Sequence, residues 1–303
     1  MPLERRSASV SEDPSLREVA AEIRTAVGQA VRSISAIEFA IVYLAVPGIL
    51  TGLYLLPGTD AWSLSLGAES LLSNRWTLWT AFASSYVHTH PGHLLNNVAA
   101  YLMVMGVAYP LSVLAGWRRR LPSIAVCCLF VVPFASAWTS LVTLGAITDV
   151  PSSGFSDVNA GFLGYLLVVW FAAAERLTAG AVDRRLAFVA APASVGAVLA
   201  APETVAYFPP LRGVAAACLA FAAVIAVVLV RAGAVPRRVA LDPVPEFVLV
   251  VGASVLLAGL LGSMVIVPMG SNAWAHLAGY VVGLAVSLAL VGLSGSCSDP
   301  ISP

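Results

Sequence analysis

The chain has little charge and no lysine. Of its 303 residues, 11% are charged and 59% are hydrophobic, and all 16 basic residues are arginine. An average soluble domain carries about 25% charged residues. Polar surface is therefore too scarce to coat a soluble core, which excludes a soluble fold. A sustained alternation of apolar and polar residues is also missing, which excludes a membrane β-barrel. The apolar runs are long and unbroken, as in helices whose backbone groups are satisfied within the segment. Formal net charge is zero, so no basic field is present to hold a nucleic acid. Cysteine is sparse, at Cys127, Cys128, Cys218 and Cys297. Their spacing fits neither a disulfide frame nor a zinc site, and the first three read as buried free thiols in apolar runs. The opening MPLERRSASVSEDPS has no apolar core behind its charges, unlike a signal peptide.

What is present is an all-α, polytopic helical membrane protein. A span needs roughly 20 apolar residues. The sequence offers eight candidates, at 36–56, 93–115, 122–147, 155–174, 186–201, 213–231, 246–267 and 273–293, the fifth being short. Ahead of them lies a polar segment, 1–35. In it Leu16, Val19, Ala20, Ile23, Val27 and Ile34 recur at helical spacing, with Arg17, Glu18 and Arg24 between them and Ser15 as a cap. This amphipathic helix either lies on the membrane surface or packs on the protein. A tail, 294–303, follows the last span.

Arginine fixes the orientation. Arg5, Arg6, Arg17, Arg24 and Arg32 precede the first span. Arg118, Arg119 and Arg120 follow the second; Arg176, Arg184 and Arg185 follow the fourth; Arg231, Arg237 and Arg238 follow the sixth. With eight crossings all these groups share one side, which the positive-inside rule makes cytoplasmic. Only Arg75 and Arg212 fall on the other. Both termini are then expected in the cytoplasm of a multi-pass cell-membrane protein, with residues 202–212 outside. The outside loop 57–92 carries Trp62, Leu64, Leu66, Leu71, Leu72, Trp76 and Trp79. Such a loop is expected against the outer leaflet, where interfacial tryptophan sits.

Polar groups inside spans are costly, so each asks for a reason. They gather at the outer ends of three spans. His93 and Asn97, four residues apart, share one helical face at the start of the second span. Ser156 follows Gly154 at the start of the fourth. There free backbone N–H groups and the positive end of the helix dipole favour a developing oxyanion. His276 lies in the last span, with Gly279 and Gly283 on its face, a stripe that admits close approach by another helix. A serine becomes a nucleophile when a base takes its proton and donors meet the oxyanion. All of these parts are present at similar depth.

On these residues the chain resembles the rhomboid intramembrane serine proteases. The carrying motifs are His93-x-x-x-Asn97, Gly154-x-Ser156 and Ala275-His276-x-x-Gly279-x-x-x-Gly283, within residues 36–293. The resemblance implies Ser156 as nucleophile, His276 as general base, and His93 and Asn97 lining the oxyanion hole. It implies a Ser-His dyad that cleaves transmembrane segments of membrane proteins, with no cofactor and no metal. Small residues at the cut and helix-breaking residues below it are expected in the substrate. The chain departs from the family in three ways. Trp76 is preceded by Arg75 and followed by Thr77, where the family often has Trp-Arg. Asp157 stands where many members have glycine. Two extra spans lie between the serine and histidine helices. Asp157 has two readings: a first-turn acid facing water, or an anion acting on His276. Other readings of the whole stay open: an inactive rhomboid-like protein that binds membrane helices, a small transporter, or a metal site at His88, His90 and His93.

Overall fold

The computed structural model describes residues 16–201, 211–237, 239–266 and 271–294. The expected cap Ser15, Cys297 and most of the expected outside segment 202–212 lie outside the described residues. The described residues are mostly helical. Among the described residues the one strand-like feature is an antiparallel bridge between Leu64 and Ser152.

Among the described residues seven helices are long and apolar enough to cross a membrane, so the chain is a multi-pass membrane protein. The amphipathic segment forms α1, Leu16–Ser33. The first span is α2, Ala36–Leu55, capped by the Ser35 side chain and containing a π-helical turn at Ala40–Leu44. A short loop helix, α3, Arg75–Ala83, is capped by Asn74. The spans α4, Pro91–Leu114, α5, Leu121–Leu144, and α6, Ser156–Leu177, follow. Then come α7, Ala187–Ala200, α8, Arg212–Arg231, α9, Pro243–Val265, and α10, Ala273–Ser294.

The fifth expected span is α7. With 14 residues and a rise of about 1.5 Å per residue it is roughly 21 Å long, short of a hydrocarbon core of roughly 30 Å. It pairs with α8, packing Gly196 against Leu219 and Ala215. The two helices return the chain to the end it left: Arg237 N–H donates to the Ala181 carbonyl, at 3.0 Å. The Arg-rich linkers on either side of this pair therefore meet, whatever depth α7 reaches. Arg118 pairs with Glu38 at the start of α2. The Arg176 guanidinium lies against Gly116, on the linker between α4 and α5. One end of the bundle is the arginine end.

The helix α6 is the centre of the molecule, buried along nearly its whole length. Its most extensive neighbour is α10, and α4 and α9 also lie against it. The contact between α6 and α10 is backbone on backbone. A Cβ on Gly279 would overlap the Asp157 carbonyl, and one on Gly164 would overlap the Tyr280 carbonyl. Without the apolar-solvent drive that works in water, such close approach supplies the van der Waals contact that holds membrane helices together. Two hydroxyl pairs tie these helices to their other neighbours: Tyr280 of α10 with Ser194 on α7, at 2.8 Å, and the buried pair of Tyr165 on α6 with Ser112 on α4, at 2.7 Å.

The loop between the first and second spans, 57–90, is partly folded onto the protein. Leu64 and Leu66 are buried beside Ala81 and Ala137, while Leu72, Trp76 and Trp79 remain exposed. The exposed residues are the ones that fit a leaflet surface.

Candidate functional site

Opposite the arginine end, the ends of α4, α5, α6 and α10 and the segment after α3 enclose a cavity of about 410 Å³. It is lined by Ser156, His276, His93, Gly154, Asp157 and Asn272, among others. Local sequence explains how each arrives there.

The start of α6 is pinned on both sides. Phe155 is fully buried against Tyr86 and Tyr101. Ser152 is held by its two backbone bonds to Leu64, both 2.9 Å, and Gly154 N–H donates to the Ser84 carbonyl at 2.8 Å. Gly154 has φ of 118°, a conformation that favours glycine. A side chain there would also overlap the His93 ring. The turn thus brings backbone against imidazole and sets Ser156 at the first position of the helix.

The start of α10 is set by Asn272. Its Oδ1 accepts from Ala275 N–H at 3.1 Å, and its Nδ2 donates to Ser140 Oγ on α5 at 2.7 Å. His276 follows one turn later, 6% exposed. Its Nε2 lies 2.7 Å from Ser156 Oγ. Its Nδ1 lies 2.6 Å from the backbone carbonyl of Ser263, in the π-helical turn Leu261–Val265 that ends α9. A carbonyl only accepts, so Nδ1 carries a proton; in the neutral imidazole Nε2 then presents its lone pair to the serine hydroxyl. The arrangement is that of a hydroxyl positioned to give its proton to a neutral imidazole.

His93 and Asn97 are placed differently from one another. His93 lines the cavity against Gly154. Asn97 is buried behind Gly154, and its Nδ2 donates to His88 Nε2 at 3.0 Å. Its backbone carbonyl accepts from Asn159 Nδ2 on α6, also at 3.0 Å. Asn96, which is exposed, also lines the cavity. His88 belongs to the loop ahead of α4. Burial, with the neighbouring His93 second, pushes its pKa down to about 4. It is therefore neutral at ordinary pH and free to accept from Asn97. His90 serves the helix: it caps α4, its Nδ1 accepting from His93 N–H at 3.0 Å. His88 Nε2 and His90 Nδ1 are thus each occupied, by Asn97 and by the start of α4. Among the described residues no three His, Cys, Asp or Glu side chains gather as a metal-ion set.

Asp157 does not face water. It is 5% exposed. One carboxylate oxygen accepts from Ser85 Oγ at 2.7 Å and from Ser136 Oγ, and the other accepts from Val158 N–H at 2.8 Å. It ties the end of the outer loop, the outer half of α5 and the start of α6 together. In the same first turn, the N–H groups of Ser156 and Asp157 lack a partner from within the helix, as at any helix start.

Gly279 and Gly283 lie where α10 meets α6, beneath the site rather than in its wall. Sequence reasoning missed Ser85, Ser136, Asn272 and the Ser263 carbonyl. Serine and asparagine at helix ends are common caps, and a backbone carbonyl has no residue type to betray it. His88 carried a signal, its nearness to the His93/Asn97 pair, but its role depends on how the loop folds back.

No family model, curated protein or solved structure matches this chain.

Proposed function

We propose that the chain is an intramembrane serine endopeptidase of the rhomboid kind, acting on transmembrane segments of other membrane proteins in the cell membrane. The observation that carries this reading is the 2.7 Å hydrogen bond between Ser156 Oγ and His276 Nε2, inside a cavity at the outer ends of membrane helices. In this reading His276 takes the Ser156 proton as Oγ attacks a peptide carbonyl. The resulting oxyanion is met by the first-turn N–H groups of α6 and by a donor from His93 or Asn97. His276 then returns the proton to the leaving amine, and water repeats the sequence on the acyl-enzyme.

The test uses the purified protein in detergent or liposomes. A serine-reactive fluorophosphonate should label the wild type, and neither Ser156→Ala nor His276→Ala. A synthetic transmembrane substrate should be cut by the wild type alone. Cleavage at the wild-type rate by Ser156→Ala would end the proposal. A chain that neither labels nor cleaves, yet holds transmembrane peptides, would favour the inactive helix-binding reading.

A further inference from the structure

The base in this site has a partner that comes from neither the serine helix nor its own. His276 Nδ1 bonds the Ser263 carbonyl, 13 residues back in the chain and on another helix. That carbonyl is available for a reason. Ser263 lies in the last turn of α9, where carbonyl groups have no intrahelical donor. The turn is π-helical, closed by Ile266 N–H on the Leu261 carbonyl at 2.7 Å. The last turn of a helix also carries roughly half a negative elementary charge. This charge opposes nothing while His276 is neutral and stabilises the imidazolium formed when it accepts a proton. Among the described residues no carboxylate is hydrogen-bonded to His276: the oxygens of Asp157 are engaged by Ser85, Ser136 and Val158.

The height of that carbonyl is set by how α9 docks on α6. The Trp170 indole of α6 donates to the Leu249 carbonyl at 2.8 Å. Gly252 lies against the same indole, where a Cβ would come 2.9 Å from Trp170 Cδ1. Gly259 lies against Leu163, where a Cβ would come 2.7 Å from Leu163 Cδ1. Ser263 is one turn beyond Gly259, so the face that docks is the face that delivers the carbonyl.

We propose that the Ser263 backbone carbonyl is a positioning group for His276. It holds the Nδ1–H tautomer, and through the docking of α9 on α6 it makes the readiness of the base depend on a helix that carries no reacting group. The proposal rests on the protease reading for its consequence in turnover, but its structural core is the tautomer.

The experiment weakens the carbonyl without touching a side chain. Incorporating the α-hydroxy analogue of methionine at position 264 turns the Ser263–Met264 peptide bond into an ester, whose carbonyl is a poorer acceptor. An ester at the Gly262–Ser263 bond is the control, since it also removes a helix N–H but leaves the Ser263 carbonyl an amide. The chain has only four histidines, so their ring nitrogens can be resolved by ¹⁵N labelling and assigned with single variants. The wild type should show His276 protonated at Nδ1. The 263–264 ester should mix the two tautomers and lower kcat roughly tenfold at unchanged KM, with the control within about twofold of the wild type. Gly259→Val should act like the ester, and Gly262→Val, with open space around that position, should not. Protonation at Nε2 in the wild type, or an ester that leaves both tautomer and kcat unchanged, would overturn the proposal. A protein that turns over no substrate would count against the protease reading alone, because the tautomer is read without turnover.

Discussion

Gly283 on α10 lies directly on Gly161 of α6, so close that a Cβ on Gly283 would overlap the Gly161 carbonyl oxygen. The obstacle is backbone, which cannot swing aside as a side chain can. Overpacking a well-packed site costs about 1–3 kcal/mol where neighbours can adjust. Gly283→Val should exceed that range, lowering the thermal unfolding midpoint in detergent and abolishing fluorophosphonate labelling. Gly292→Val, with nothing within 4 Å of its Cβ, should leave both unchanged. Equal effects of the two would mean that the α6–α10 contact does not set the site.

Asn97 and His88 should act as a unit. Asn97→Ala is expected to lower kcat more than substrate affinity. The loss should fall below the roughly 10²–10³ of a principal oxyanion donor, because the first-turn amides of α6 share the charge. His88→Phe should reproduce part of that loss, since it removes the acceptor that holds the Asn97 amide. The double variant should be little worse than Asn97→Ala. Additive losses in a double-mutant cycle would separate the two residues.

The same histidine predicts a pH dependence of stability. Its folded pKa is about 4, below the ordinary value of 6.5. The unfolded chain therefore takes up this proton first as pH falls. The stability His88 contributes in its neutral form is present above about pH 6.5 and is lost progressively down to about pH 4. Unfolding midpoints recorded across this window should fall more steeply in the wild type than in His88→Phe. Parallel curves would place the acid sensitivity elsewhere.

Asp157 should behave as a structural tie. Asp157→Gly leaves the Ser85 hydroxyl without its acceptor, confines Ser136 to the Val132 carbonyl of its own helix, and opens a gap. The expected cost is about 1.5–3 kcal/mol, as for a buried hydrogen bond to a charged group, seen as a lower unfolding midpoint. Asp157→Asn keeps the volume and should cost less. Ser136→Ala in the Asp157→Gly background should add little. If Asp157→Gly raised kcat with stability unchanged, the carboxylate would be acting on the reacting charge instead.

Asn272→Ala removes the cap of α10 and its bond to Ser140. Loss of a cap costs about 1 kcal/mol. Because His276 sits one turn further on, kcat should fall as well, and Asn272→Asp should restore the cap but not the bond to Ser140. Full recovery of kcat in Asn272→Asp would show that capping alone positions the base.

Much of this architecture is legible in one dimension. A bilayer leaves a chain with long apolar runs and 11% charge little choice but helices, because every backbone group must be satisfied within its own segment. Periodicity placed His93 and Asn97 on one face and Gly279 and Gly283 beneath His276. The arginines marked the linkers that meet at one end. Polar residues stood out at the outer span ends because apolar surroundings make them conspicuous. The length of α7 was less legible, since an apolar run does not state how many of its residues will be helical.

What the tertiary structure decided is which polar groups meet, and by which atoms. Sequence offered Asp157 to water or to His276; burial under the loop before α4 removes it from water and gives its oxygens to Ser85 and Ser136. Spacing paired Asn97 with His93, but the fold of the preceding loop gave its amide to His88. The tautomer of His276 was set by a backbone carbonyl that every residue type shares, delivered by the docking of a separate helix. A sequence specifies side chains and periods along one chain segment. The partner of a buried polar group is chosen by distance in three dimensions, where an unsatisfied group is costly and the nearest complementary atom takes it.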